Sequence, residues 1–463
     1  MEILTGFFYN IFAFVVILSV IVFVHEFGHY FIAKISGVKI EQFSIGFGKE
    51  IFGVNDKSGT RWKFCALPFG GYVKMFGDID PASAPDSEKI KAFTEDEKKV
   101  AFHTKSLPIK SAVVFAGPAA NFILAIVIMT FVFSTKGKPV EIPPKINEVY
   151  ENSPAQKAGI MVGDIIKKAD GKEIDEFADF RAVESLSTEN PVNIAVERNG
   201  EIKEFSITPA MRQRQDMFGN DIMAPFFGIE AEELLIPARL SVVSSGSAAE
   251  KAGLMAGDLI TEIDGIKINS FSDLQQFIAG NKEETIEIVF ERDGVVNTTL
   301  ATPTVHEKTD SEGNVVKFQI LGVSAENPYI EKVGIFSAFK SSIITTYDIS
   351  AGTLKAIGQM FTGQRSPTDI SGPIGIAKYS GQSAKRGLDT ILWFIVVLSI
   401  NLGLVNLFPI PLLDGGHLMY YAVEAVRGKP LADKVQQIGF KIGIALVGTL
   451  FIFAIVNDLY KLL

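Results

Sequence analysis

The chain has 463 residues, 47% of them hydrophobic and 21% charged, with a formal net charge of -9. That length calls for more than one domain, and the mixture is too apolar for a purely soluble enzyme and too charged for a bundle of spanning helices alone. The acidic balance speaks against nucleic acid as a partner, and the single cysteine, Cys65, excludes both a disulfide framework and a Cys-rich zinc site. Any metal must therefore be held by Asp, Glu or one of the five histidines: His25, His29, His103, His306 and His417.

The first apolar run, Phe7 to Val24, approaches the ~20 residues of a spanning helix. No basic n-region precedes it and no small-residue cleavage site follows, so residues 1–36 read as a retained span. It ends in HEFGH, with His25, Glu26 and His29. On a helix, positions i and i+4 share a face, so two imidazoles there suit one Zn²⁺ at ~2.0–2.1 Å. Glu26 beside the first imidazole suits a general base toward the attacking water. The alternative is a pair of helix-face histidines in ordinary polar contacts, but ionisable groups beside lipid are costly and usually functional.

Residues 37–107 read as a cytosolic or membrane-associated loop. FSIGFGKEIFGVNDKSGTRWKF alternates about a polar NDKSGT turn, which predicts a β-hairpin, and GGYVKMFG (70–77) adds a further strand. DIDPASAPDSEKIKAFTEDEKK is charged and Pro/Ser-bearing and reads as mobile, with His103 a surface residue beyond it. Residues 108–136 hold a second apolar run, about Ala112 to Phe133.

Next comes an internal repeat. SPAQKAGIMVGDIIKKADGKEIDEF (153–177) matches SAAEKAGLMAGDLITEIDGIKINSF (247–271) at an offset of 94 residues, which also aligns ERNG at Glu197 with ERDG at Glu291. A period this long means two copies of one small domain, 137–233 and 234–326. Strand-like runs such as VNIAVER and IEIVFER alternate with NG and DG turns. The AGI-x-x-GD-x-I-x-x-x-DG pattern resembles the PDZ family. That resemblance implies a small helix-capped β-barrel whose groove takes an extended peptide by strand addition. A spacer or steric filter is the other reading.

Residues 327–386 read as a linker with an amphipathic segment. A third span, 387–426, contains the run Ile391 to Leu413 and the motif NLFPIPLLDGGH, and a fourth follows at 436–463. Lysines and arginines flank the loops after spans one and three, so those loops are cytosolic, and the N-terminus and segment 134–386 lie outside. Spans one and three then run in the same direction. His25 lies ~27 Å along a helix from Phe7, and Asp414, at the far end of span three, arrives at similar depth. A catalytic zinc site takes three protein ligands and a water, which makes Asp414 the candidate third ligand. His417 competes with it, and a cap or turn before Gly-Gly is the other use for Asp414. Pro409 and Pro411 break or kink the helix. Asn121 and Asn401 read as interhelical hydrogen-bonders, with substrate contact a lesser role for Asn401.

Taken in order, HEFGH, AGPAANF (116–122), SGPIGI (371–376) and NLFPIPLLDGGH look like the site-2 protease family. The paired PDZ-like units narrow the resemblance to the bacterial branch that cleaves anti-sigma factors, and it covers essentially the whole chain. It implies a polytopic α-helical membrane protein of the bacterial inner membrane. Four transmembrane helices would carry two β-rich PDZ domains between helices two and three on the periplasmic side, with the active site near the cytosolic side. It implies an intramembrane zinc endopeptidase in which His25, His29 and Asp414 bind Zn²⁺ and Glu26 is the base. Asn406 and the segment Gly70, Gly71, Tyr72, Val73 and Lys74 would hold the substrate backbone. The implied partners are single-span membrane proteins, either anti-sigma factors or remnant signal peptides, together with the lipid bilayer and a peptide ligand of the PDZ units. Two other classes compete: a membrane-anchored PDZ receptor with a closed structural metal site, and a metal or ion transporter, which the absence of an inverted repeat disfavours.

Overall fold

Among the described residues, four helices of the computed structural model are long and apolar enough to cross a membrane: Phe8–Ile35 within α1 (Glu2–Ile35), Leu107–Lys136, Leu388–Asn406 and Lys434–Tyr460. Residues 2–78, 92–215, 221–231, 236–280, 285–309, 315–325 and 330–461 are described. Small residues let the first three helices approach closely. A Cβ at Gly28 of α1 would collide with the Ala116 carbonyl of helix 107–136, and one at Gly403 would stand 3.1 Å from the Pro118 carbonyl oxygen. Ser399 donates to the Asn121 carbonyl across the same crossing, at 2.9 Å. Apolar layers complete this bundle, with Ile17 and Ile21 against Phe394 and Ile395, and Met129 and Phe133 with Val396 and Ile400.

The third apolar run is not one helix. It is helical over Leu388–Asn406, leaves the helix through LFPIPLL and restarts as Asp414–Arg427. Pro409 and Pro411 cannot donate to a helical ladder, which forces the break. Leu412 turns the chain back at φ 126°, a costly conformation for a branched side chain. The returning loop lies on the first turn of helix 414–427. A Cβ at Gly415 would strike the Leu407 and Phe408 carbonyls, and one at Gly416 the Ile410 carbonyl. Only Gly-Gly after Asp414 admits that return.

Segment 327–386, expected as a linker with an amphipathic segment, is largely helical. It contains helices Ile335–Phe361 and Pro373–Arg386. The first buries small and hydroxylic residues, Ala338, Ser342 and Thr346, at i, i+4 spacing. That stripe packs on helix 107–136, where Thr130 donates to Ser342 at 3.2 Å. The segment is amphipathic as expected, but its buried stripe lacks the large apolar residues that a soluble helix would turn inward. The second helix is anchored at its N-terminus by Asp458, which accepts from Gly372 N at 2.9 Å and Gly375 N at 2.8 Å.

The stretch expected to be mobile holds a helix, Glu95–Val100, closed at its start by a capping box between Thr94 and Glu97; residues 79–91 lie outside the described residues. His103 is no surface residue. It meets the fully buried carboxylate of Asp78 at 2.7 Å. The side chain of His306 lies outside the described residues.

Strands β1 (Ile40–Asn55) and β2 (Arg61–Met75) form a hairpin closed by Asp56, which accepts from Ser58 N and Thr60 N. Both strands bend, so Gln42–Ile45 is flanked by Arg61–Phe64 on one side and by Gly71–Lys74 on the other. GGYVKMFG thus supplies the outer segment of β2. Tyr30 of α1 and Trp62 of β2 both donate to Asp56 Oδ2 at 3.2 Å, and the Tyr30 bond ties the hairpin to α1.

The repeat yields two β-rich units with the same four-stranded order. In the first, Lys172–Glu173, Ile165–Ala169, Val192–Arg198 and Glu201–Ile207 lie side by side, and in the second Ile266–Lys267, Leu259–Ile263, Ile286–Arg292 and Val295–Ala301 do so. Each has its own apolar core. Each also repeats one ion pair on a buried aspartate, Arg198 on Asp164 at 2.6 and 2.7 Å, and Arg292 on Asp258 at 2.7 Å through both oxygens. Burial alone would raise Asp258; hydrogen bonds from Arg292 and the Met255 amide outweigh it and hold the carboxyl below its usual range. A short ladder, Pro139 with Ile330 and Lys138 with Glu331, brings the two ends of the β-rich insert together.

Candidate metal centre and active site

His25 and His29 stand one turn apart on α1, and the fold brings Asp414 to them from the first turn of helix 414–427. Leu413, not Asp414, occupies the N-cap position, and no side-chain cap bond forms there, so the cap role does not account for Asp414. His25 Nε2 and His29 Nε2 are 3.3 Å apart, and Asp414 Oδ2 lies 3.2 Å from the first and 3.6 Å from the second.

These spacings test whether a metal fits. Bonds of ~2.0–2.1 Å in a tetrahedral site imply ligand atoms about 3.3–3.4 Å apart, and the three donor pairs bracket that value. Asp414 Oδ2 is buried and accepts no hydrogen bond among the described residues, which is costly unless a cation takes its lone pair. His29 is oriented for the same purpose. Its Nδ1 lies 2.8 Å from the Val113 carbonyl, so Nδ1–H donates there and Nε2 is left as a lone pair toward the other two donors. Helix 107–136 passes so close that a Cβ at Gly117 would overlap His29 Nε2 and stand 2.9 Å from His25 Cε1. A two-histidine, one-carboxylate set with this spacing suits a divalent metal, and His/Asp donors suit zinc.

A cavity of about 560 Å³ opens beside the three donors, and Glu26 and Asn406 line it. Of the predicted substrate segment, Gly70, Gly71, Tyr72 and Val73 also line it, whereas Lys74 turns to Glu41 at 3.5 Å. Gly71 runs against α1, where an added Cβ would stand 2.9 Å from Glu26 Cγ and 2.6 Å from the Ser44 carbonyl oxygen. The outer segment of β2 thus passes directly by Glu26. Asn406 places its amide 3.4 Å from His25 Nε2. His417 sits in the cavity wall, outside the cluster of three donors. Asn401 accepts from Thr353 of helix 335–361 at 3.0 Å, an interhelical bond.

Sequence reasoning left Val113, Gly117 and the pair Lys110–Glu424 without a site role. Lys110 Nζ reaches both Glu424 oxygens at 3.1 Å and fastens helix 107–136 to the helix that starts at Asp414. Gly117 lay inside the quoted AGPAANF motif; the carbonyl of Val113 and the distant Glu424 gave no local signal.

Residues 13–450 match the profile of peptidase family M50. The regulator of sigma-E protease of Salmonella typhimurium is 34% identical over 460 residues, 98% of this chain and 99% of that protein. Its Escherichia coli counterpart is 32% identical over 464 residues, 99% of this chain and 100% of that protein. A Rhizobium meliloti protein whose name assigns it as a zinc metalloprotease is 34% identical over 451 residues, 97% of this chain and 96% of its own length. Among solved structures, the PDZ domain of an SdrC-like protein from Listeria monocytogenes is 23% identical, with a TM-score of 0.16, over 21% of this chain and 92% of that one.

Proposed function

Since the chain belongs to peptidase family M50 and is a metalloprotease, we propose that it is an intramembrane zinc endopeptidase that cuts the membrane segments of single-span proteins. The carrying observation is the three-donor cluster at tetrahedral spacing, with Glu26 and a strand edge that is unpaired among the described residues on one cavity. His25, His29 and Asp414 would hold the metal, which when bound supplies Lewis acidity toward a carbonyl and a water.

The other steps belong to the protein. Glu26 takes a proton from the attacking water and delivers it to the leaving amine. A substrate helix must unwind before attack, and each backbone group freed in lipid costs several kcal/mol unless it is paired. Gly70–Lys74 offers an edge for such pairing, and Asn406 adds an amide donor and acceptor. Remote pairing of this kind also holds the scissile bond beside Glu26.

Membrane insertion is supported by the outward faces of the helices. Phe12, Ile123, Phe131 and Ile452 are each about 60–70% exposed, an arrangement favourable only beside lipid. The lysine distribution supports a cytosolic hairpin and an external pair of PDZ-like units, and the enterobacterial relatives support the bacterial inner membrane. Anti-sigma factors and remnant signal peptides are the proposed substrates. Substituting Asp414→Ala or His29→Ala in detergent-purified protein tests the reading. Both variants should lose bound zinc, read by mass spectrometry, together with cleavage of a single-span substrate; full zinc content in both would overturn it.

A further inference from the structure

The second nitrogen of His25 has a partner that the mechanism above does not use. His25 Nδ1 lies 3.2 Å from the side-chain amide of Asn121, which is wholly buried in helix 107–136. With the amide nitrogen toward the ring, Nδ1 must accept, which puts the ring proton on Nε2. Yet Nε2 is the atom that faces Asp414 at 3.2 Å and His29 at 3.3 Å, where a metal ligand needs a lone pair. In that same orientation the Asn121 Oδ1 atom is buried and has no hydrogen-bond partner among the described residues. Half a turn of the amide removes the tautomer conflict: Oδ1 accepts from Nδ1–H, Nε2 is left with its lone pair, and Nδ2 takes the place that Oδ1 had.

We infer that Asn121 is a positioning residue, whose side-chain oxygen fixes the ring tautomer and orientation of His25. The inference rests on the metal-site reading given above and extends it to helix 107–136. That helix meets the two imidazoles at one register. The Val113 carbonyl accepts from His29, Gly117 leaves room for both rings, and Asn121 takes His25, each four residues from the last. Antiparallel passage of the two helices matches His29 with Val113 and His25 with Asn121. The bond from Ser399 to the Asn121 carbonyl holds the backbone in place independently of the side chain.

The experiment is zinc affinity of the full-length protein in detergent, read by competition with a chromophoric chelator. The proteins compared are wild type, Asn121→Leu, Asn121→Ala, Asn121→Asp, Ser399→Ala and His25→Ala. Loss of a partner that orients a ligand lowers metal affinity about 10–100-fold, and that is the loss expected in Asn121→Leu and Asn121→Ala. Asn121→Asp keeps an acceptor oxygen and should stay within about threefold of wild type. Ser399→Ala, which alters the crossing but not the ring's partner, should match wild type. If Asn121→Leu fails to fold, Asn121→Ala carries the comparison. Wild-type affinity in the folded Leu or Ala variant, or equal losses in Asp and Ala, would overturn the role of Asn121. An equal loss in Ser399→Ala would assign the effect to helix packing and overturn it too. Full affinity in His25→Ala would instead overturn the metal-site reading itself.

Discussion

At the scale of single residues, the centre depends on side chains that are absent as much as on those present. Gly117 is the clearest case, because any Cβ there would occupy space taken by His29 and crowd His25. Gly117→Ala is expected to lower zinc content and cleavage about tenfold or more while leaving the helices folded; circular dichroism beside metal analysis checks it. Gly71 presents the same economy on the other wall. Gly71→Val should press on Glu26 and the Ser44 carbonyl. Its expected signature is a fall in cleavage of about tenfold or more with zinc content unchanged, because the three donor residues lie elsewhere. The meeting of His25, His29 and Asp414 beside Glu26 was legible in the sequence because HExxH has a fixed helical meaning and an acid after an apolar run is conspicuous. Gly117 was not, since a glycine in a membrane helix usually signals helix packing and only the three-dimensional crossing reveals two imidazoles against it.

At the scale of elements, the break after Asn406 delivers Asp414 to the histidines. A continuous helix through residue 413 would carry Asp414 onward along the axis; the proline-broken loop and Gly-Gly instead fold a new helix start beside α1. The sequence marked the break through Pro409 and Pro411 but not the return, which depends on carbonyl positions at Leu407, Phe408 and Ile410. The hairpin was legible for its alternation and turn, whereas the bend that puts Gly71–Lys74 at an outer edge follows from register shifts invisible to alternation. In the β-rich units the paired ions give a stability prediction. Arg292→Leu leaves the buried Asp258 without its guanidinium partner and should destabilise the second unit. In wild type the Asp258 carboxyl titrates below its usual range, so its stabilisation is present above an unfolded pKa of ~3.9 and is lost as pH falls through the folded value. In Arg292→Leu only the Met255 amide still opposes burial, so the carboxyl should titrate higher than in wild type and acidification should weaken the second unit less. Thermal unfolding of both proteins at pH 7 and near pH 3 reads the difference.

At the scale of the whole molecule, the bundle and the β-rich insert are joined with some independence. The ends of the insert meet in the Lys138–Glu331 ladder, so removal of residues 140–326 leaves three residues between Pro139 and Ile330. The first unit also rests on helix 335–361, through Lys355 with Asp170 at 2.7 Å and Gln359 with the Leu186 carbonyl at 2.6 Å. We propose that the insert restricts access to substrates already shortened outside the membrane. The shortened chain should then be cut after wild-type and deleted proteins alike, and full-length substrate should be cut only by the deleted protein. A deleted protein that cuts the short form and still refuses the long one would refute the filter. The repeat itself was plain in the sequence. In segment 327–386 the amphipathic character was legible, but not the sense of the burial: helix 335–361 buries hydroxyls and alanine and turns Phe336, Phe339 and Tyr347 outward, the reverse of a soluble helix.

The most direct test of the central claim compares wild type with Glu26→Gln, purified in detergent and presented with a single-span substrate. Glutamine keeps the shape and removes the base, so both proteins should retain zinc and only the wild type should cleave. Equal cleavage by the two, with metal bound in each, would contradict Glu26 as the base and with it the proposed chemistry of this site.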